Sequence, residues 1–208
     1  MTHLDELLEI SSRGHSHLCP RQILGVRMGL AGMAALGFTE LPEKKRLLVF
    51  AETDGCFVDG LSAATNCAVG HRTLRIEDYG KIAAIFVDVR TGQSLRLSPT
   101  LELRQHACAY VPQEPRHYFA QMQAYRTMPV EDLFIFQTVS LIVPVEDILS
   151  RPGVRVNCEV CGEEIMNERE IRREGQVLCR ACAGNAYYQT GSLCAITPCF
   201  TFETQPLR

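Results

Sequence analysis

The chain has 208 residues, enough for one sizeable domain and a small appendage. Its 46% hydrophobic and 22% charged residues suit a globular protein with a core, and a net charge of −3 leaves no electrostatic footprint for nucleic acid. No segment reads as a signal peptide, because Asp5, Glu6 and Glu9 precede any apolar run. The longest apolar stretch, 23–38, is broken by Arg27 and falls short of the ~20 residues that cross a bilayer. The expected compartment is the cytoplasm, where the ten cysteines favour metal binding or reactive thiols over disulfides.

Residues 2–12 place Leu4, Leu7, Leu8 and Ser11 on one face and predict an amphipathic helix. A polar loop, R-G-H-S-H-L-C, leads into P-R-Q-I-L-G-V-R-M-G-L-A-G-M-A-A-L-G. There Gly25, Gly29, Gly32 and Ala35 recur every three or four positions, which predicts close helix packing, with Gly37 as the C-cap. Residues 46–53 predict a buried strand, and 54–67 a turn opening a short helix. Strands are expected at 73–79, 82–90 and 94–97, with T-G-Q at 91–93 as a hairpin connection. Pro112 and Pro115 mark a loop, 116–128 a helix, and 134–143 a strand ending at a Pro144-led turn. A linker at 151–153 separates a cysteine-rich module at about 154–186 from a tail, 187–208, that holds Cys194 and Cys199. The irregular order of helices and strands gives the class α+β: a mostly antiparallel sheet packed with helices over residues 1–150, and a small zinc-ribbon or finger module with the tail over 151–208.

The strongest chemical pattern is Cys158, Cys161, Cys179 and Cys182, two C-x-x-C knuckles seventeen residues apart. That spacing matches a four-thiolate zinc site. Four protein ligands fill a tetrahedral ion, so the site is structural and leaves no position for chemistry. Paired disulfides or a redox dithiol are the competing reading, disfavoured in a reducing compartment.

A second cluster lies in the N-terminal half. In H-S-H-L-C-P, Pro20 suits the first helical position and puts Cys19 at the N-cap, where the helix dipole favours a thiolate. In an extended loop His15, His17 and Cys19 point the same way and converge. The second segment, E-T-D-G-C-F-V-D-G, follows a strand and opens a helix. It offers Cys56 as ligand or reactive thiol, Asp54 and Asp59 as proton-transfer candidates, and Cys67 in support. The plainer alternatives are turn and cap roles for Asp54 and Asp59, and a core role for Cys67.

At these residues the chain resembles the FmdE family of formylmethanofuran dehydrogenase. H-S-H-L-C-P-R stands where the family has an H-G-H-x-C-P-G-like segment, and E-T-D-G-C-F-V-D-G-L followed by T-N-C-A-V-G-H resembles its second motif. I-E-D-Y-G-K-I-A-A-I-F resembles its middle strands, and the resemblance covers roughly residues 10–145. Arg21, Asn66 and His71 depart from the family pattern. The C-terminal knuckles resemble a DksA/TraR-type four-cysteine finger. The resemblance implies an α+β core, an intimate homodimer, and a core metal site on His15, His17, Cys19 and Cys56; thiolate plus imidazole suits zinc, iron or nickel as the ion. It also implies an accessory role beside a molybdenum or tungsten enzyme, whose subunits are then partners. The alternatives are a stand-alone metal-dependent enzyme of unassigned reaction and, third, a regulatory finger. The arginines at 169, 172, 173 and 180 are offset by five nearby glutamates, which argues against nucleic acid as a partner.

Overall fold

A computed structural model describes residues 2–43, 45–149 and 153–189, so Cys194 and Cys199 lie outside the described residues. The chain divides into two compact units, Met1–Leu149 and Ser150–Arg208.

In the first unit, α1 (His3–Ser12) is opened by a reciprocal cap. The Asp5 N–H donates to Thr2 Oγ1 at 3.3 Å, and the Thr2 N–H donates to Asp5 Oδ2 at 3.1 Å. Helix α2 (Pro20–Ala35) starts on Cys19, whose N–H donates to Gln22 Oε1 at 2.8 Å. The same Gln22 side chain, fully buried, donates from Nε2 to the Ser11 carbonyl at 2.8 Å and so ties the start of α2 to the end of α1. The helix ends as expected at Gly37. Its φ of +80° allows a Schellman turn, with the Gly37 N–H on the Ala34 carbonyl at 2.9 Å and the Phe38 N–H on the Met33 carbonyl at 3.0 Å.

The chain continues through β1 (Leu47–Ala51), α3 (Cys56–Thr65), β2 (Leu74–Ile76), β3 (Ala84–Asp88) and β4 (Ser94–Pro99). It then forms α4 (Leu103–Tyr110), α5 (His117–Thr127), α6 (Val130–Leu133), β5 (Phe134–Thr138) and α7 (Val145–Ile148). The sheet order is β2-β1-β3-β4-β5, and only β1–β2 is parallel. The class is α+β with a mostly antiparallel sheet, and the T-G-Q segment turns the β3–β4 hairpin, with the Asp88 N–H on the Gln93 carbonyl at 3.0 Å.

Strand β1 is apolar throughout because both of its faces are covered. Leu47, Val49 and Ala51 enter the helix-covered core, while Leu48 and Phe50 pack with Val87, Leu141, Val145, Ile148 and Leu149 on the other side. On that second side the buried Glu52 carboxylate takes a bidentate bond from Arg96, at 2.6 and 2.7 Å. Glu52, which opens the E-T-D-G-C segment, is thus spent within the sheet. Arg27, the charge that interrupts the apolar stretch of α2, donates to the carbonyls of Tyr125, Arg126 and Met128 at 2.9, 2.9 and 2.7 Å. It closes the C-terminal end of α5 against α2.

The contact between α2 and α3 decides where the functional groups lie. Gly25 faces Phe57, Gly60 and Leu61, and four residues later Gly29 faces Leu61, Ala64 and Thr65. The register advances in step, so the helices run side by side in the same direction and their N-terminal ends lie together. A Cβ at Gly60 would stand 2.3 Å from the Gln22 carbonyl oxygen, so the approach needs glycine.

The second unit contains β6 (Arg155–Asn157), β7 (Glu164–Met166), β8 (Ile171–Arg173) and β9 (Gln176–Leu178), as two antiparallel hairpins, followed by a turn at Ala181–Asn185. Its buried core is Cys158, Ile165, Leu178 and Ala183. Among the described residues no helix is long and apolar enough to cross a membrane.

Candidate metal centres and an adjoining cavity

The four finger thiols gather in the second unit, with all donor atoms within 4.8 Å of one another. The Cys161 and Cys179 sulfurs are 4.0 Å apart, and the N–H groups of Cys179 and Cys182 point at the sulfurs of Cys158 and Cys179, each at 3.3 Å. Gly162, at φ +78°, closes the first knuckle by donating to the Cys158 carbonyl at 2.9 Å. Backbone N–H groups of Cys161 and Cys179 pull the Cys158 thiol down to about 6. The neighbouring Cys179 sulfur, then burial, pushes Cys182 up to about 12. Four sulfurs this close resist full ionisation unless a cation sits among them, and the donor set fits zinc.

In the first unit, the parallel packing of α2 and α3 sets Cys19, the N-cap of α2, beside Cys56, the first residue of α3. The Cys56 thiol is pushed up, first by burial and then by the Cys19 thiol next to it. His15 reaches across from the loop before α2. Its Nε2–H donates to Asp59 Oδ2 at 2.8 Å, which leaves the Nδ1 lone pair facing Cys56 Sγ at 3.9 Å. Asp59 and Cys56 are three apart on α3 and share a face, so one helix holds both sides of the imidazole. A separation of 3.9 Å is below the sum of Zn–S (~2.3 Å) and Zn–N (~2.0 Å) bond lengths, so both atoms can reach one ion. The same three residues also form a thiol–imidazole–carboxylate chain, the arrangement that activates a cysteine nucleophile.

The other expected site residues lie elsewhere. Residues 15–17 form bends, where an extended segment was expected, and His17 is exposed with Nδ1 2.9 Å from Ser16 Oγ. The alternation that would bring His15, His17 and Cys19 to one point is therefore lost. Asp54 is exposed in the turn before α3. Cys67 follows the far end of α3, ~15 Å from Cys56, buried with its thiol donating to the Leu47 carbonyl at 3.6 Å. There it lines a separate 330 Å³ cavity with His71. Among the described residues, the finger is the one group of three or more His, Cys, Asp or Glu whose donor atoms all fall within 4.8 Å.

Cys19 and Cys56 open onto a cavity of about 700 Å³, within the range of small-molecule sites. Leu24, Ile82 and Leu103 are apolar parts of its wall; Glu102, Arg104, Tyr118 and Tyr125 are polar ones. Tyr118 donates to the Leu18 carbonyl at 3.0 Å, and its hydroxyl is pushed up by burial and by the two thiols. The contributions of α4 were not read from the sequence. That helix starts at Glu102 in a left-handed conformation (φ 60°) with no capping side chain, so no start signal marks it.

Fold and site define a two-part metal-binding protein: an α+β unit with two thiols on a cavity wall, and a four-cysteine finger. The sequence profile described as "FmdE, Molybdenum formylmethanofuran dehydrogenase operon" matches residues 14–135, and the chain belongs to that family. The profile "Prokaryotic dksA/traR C4-type zinc finger" matches residues 152–188. A relative from Archaeoglobus fulgidus, named "Probable S-adenosyl-L-methionine-binding protein", is 29% identical over 90% of this chain. The chain spans 55% of that relative's length. The crystal structure of a tungsten formylmethanofuran dehydrogenase FmdE-like protein from Syntrophus aciditrophicus has the same fold. Its TM-score is 0.55 at 22% identity, covering 89% of this chain and 95% of that one.

Proposed function

We propose that this chain is a metal-binding accessory protein of a molybdenum or tungsten formylmethanofuran dehydrogenase system, acting in the cytoplasm. The finger holds a structural zinc. His15, Cys19 and Cys56 hold a second ion, zinc, iron or nickel, at the cavity wall. One observation carries the core centre: two thiols and an imidazole, distant in sequence, meet at the joined ends of α2 and α3 with Asp59 orienting the imidazole. A bound ion there would supply a Lewis-acidic centre with a coordination position open to the cavity. The accessory role is supported by the family's operon description and by the name of the Syntrophus protein. The reading includes a homodimer, supported by exposed Ile135 and Phe136 on the edge strand β5.

Elemental analysis of the purified protein tests the core centre. Two metal equivalents are expected, one lost in Cys158→Ser and the other in Cys56→Ser. A single zinc, lost only in Cys158→Ser, overturns it. Recovery of a large molybdopterin-binding protein with the tagged chain tests the accessory role, and light scattering tests the dimer.

A second reading is favoured by the 700 Å³ cavity together with the Archaeoglobus relative: the cavity takes S-adenosylmethionine. Saturable binding of that compound, abolished by bulky substitution of Leu24, supports it; no binding sinks it.

A further inference from the structure

Helix α5 lines the cavity with Tyr118, Gln121 and Tyr125, at positions i, i+3 and i+7 of one helical face. Tyr118 stands near the Cys19 and Cys56 thiols. Tyr125, ~10 Å further along the helix, feels Arg104. The cavity therefore has a thiol end, where Arg21 also lines it beside Cys19, and a charged end that carries both signs. At the charged end, Glu102, Arg104 and Gln105 project from the start of α4.

Elsewhere in this unit several arginines pair with a carboxylate: Arg96 with Glu52, Arg46 with Asp88, Arg116 with Glu114. Glu102 and Arg104 share a wall and have no ion-pair partner among the described residues, not even each other. Glu102 is also held at φ 60°, a conformation that side-chain-bearing residues seldom adopt. A carboxylate and a guanidinium that both line one cavity complement the two charges of an α-amino acid. The guanidinium fork matches a carboxylate in two-point geometry, and Glu102 accepts from an ammonium.

We propose that the cavity receives a small molecule with an α-amino-acid end. Its carboxylate sits on Arg104 and its ammonium on Glu102, and the rest of the molecule extends along α5 toward Cys19 and Cys56. This rests on the reading of the cavity as the functional site and names the ligand class it takes.

Calorimetric titration of the full chain with three probes tests the proposal. S-Adenosylhomocysteine carries the amino-acid end; 5′-methylthioadenosine is the same adenosyl thioether without it; L-methionine is an amino acid without adenosine. The expected result is S-adenosylhomocysteine binding at least tenfold tighter than methylthioadenosine. Arg104→Gln and Glu102→Gln should each remove that preference, since charge-assisted bonds of this kind are worth roughly tenfold or more. Both positions are exposed, and an unchanged circular dichroism spectrum verifies the fold. Equal binding of the two adenosyl probes, insensitive to Arg104→Gln, overturns the amino-acid end and leaves the adenosyl reading standing. Binding of L-methionine alone, lost in Arg104→Gln, does the reverse. If none of the three binds, both fall.

Discussion

Gly25 of α2 lies so close to Phe57 of α3 that a Cβ at Gly25 would stand 2.2 Å from the Phe57 carbonyl oxygen. No side-chain rotation relieves a clash with backbone, so the helices must separate. Gly25→Ala should destabilise the first unit by about 3 kcal/mol, seen as a thermal midpoint lowered by roughly 10 °C. Gly14→Ala, with open space around it, is the control and should leave the midpoint in place.

Asp59 holds the His15 ring by a 2.8 Å bond and fixes its tautomer. Asp59→Asn should weaken metal at the core centre by roughly 10–100-fold while the finger keeps its zinc. Competition with a chromophoric chelator separates the two sites. Equal affinity in wild type and Asp59→Asn would show that the carboxylate does not orient a ligand.

The finger's core is four buried residues, too few to fold without an ion. Cys158→Ser, or zinc removal by chelation, should expose the second unit to trypsin and leave a protected fragment near residues 1–149, which has its own core. Loss of that fragment at the same rate would mean that the first unit also depends on the finger's zinc.

Burial raises the Asp88 carboxyl, but the Arg46 side chain and the Arg90 N–H outweigh it and hold the group below the usual carboxylate range. A folded-state pKa below the unfolded one stabilises fully above about pH 4 and is lost as pH falls through the folded value. Asp88→Asn should therefore cost about 1–3 kcal/mol at pH 7, with the gap to wild type narrowing below pH 4 in urea titrations. A gap constant from pH 7 to pH 3 would refute the ionic origin.

The four-cysteine finger was legible in full because two short spacings specify it. Cys19 at a helix start was legible from Pro20, and Cys56 from the strand-to-helix turn. Their meeting came only from the family resemblance, since residue patterns alone do not show the direction in which α2 runs against α3. The glycine stripe signals close approach but carries no information on which helix it meets. The structure sets His17 and Cys67 apart from the Cys19–Cys56 pair for local reasons, a bend at 15–17 and the length of α3. The charged end of the cavity escaped notice because α4 begins without a capping residue, and because Glu102 and Arg104 look like ordinary surface charges in one dimension.

His15 touches two groups that cannot move relative to each other, because Cys56 and Asp59 stand one turn apart on the same helix. The imidazole itself rides on a loop. For an ion held as proposed, exchange would reduce to a single motion, the swing of one ring in and out of a fixed vice. Exchange rate and affinity would then depend on the bends at residues 15–17, while Cys19 stays at the N-cap of α2 and Cys56 on α3.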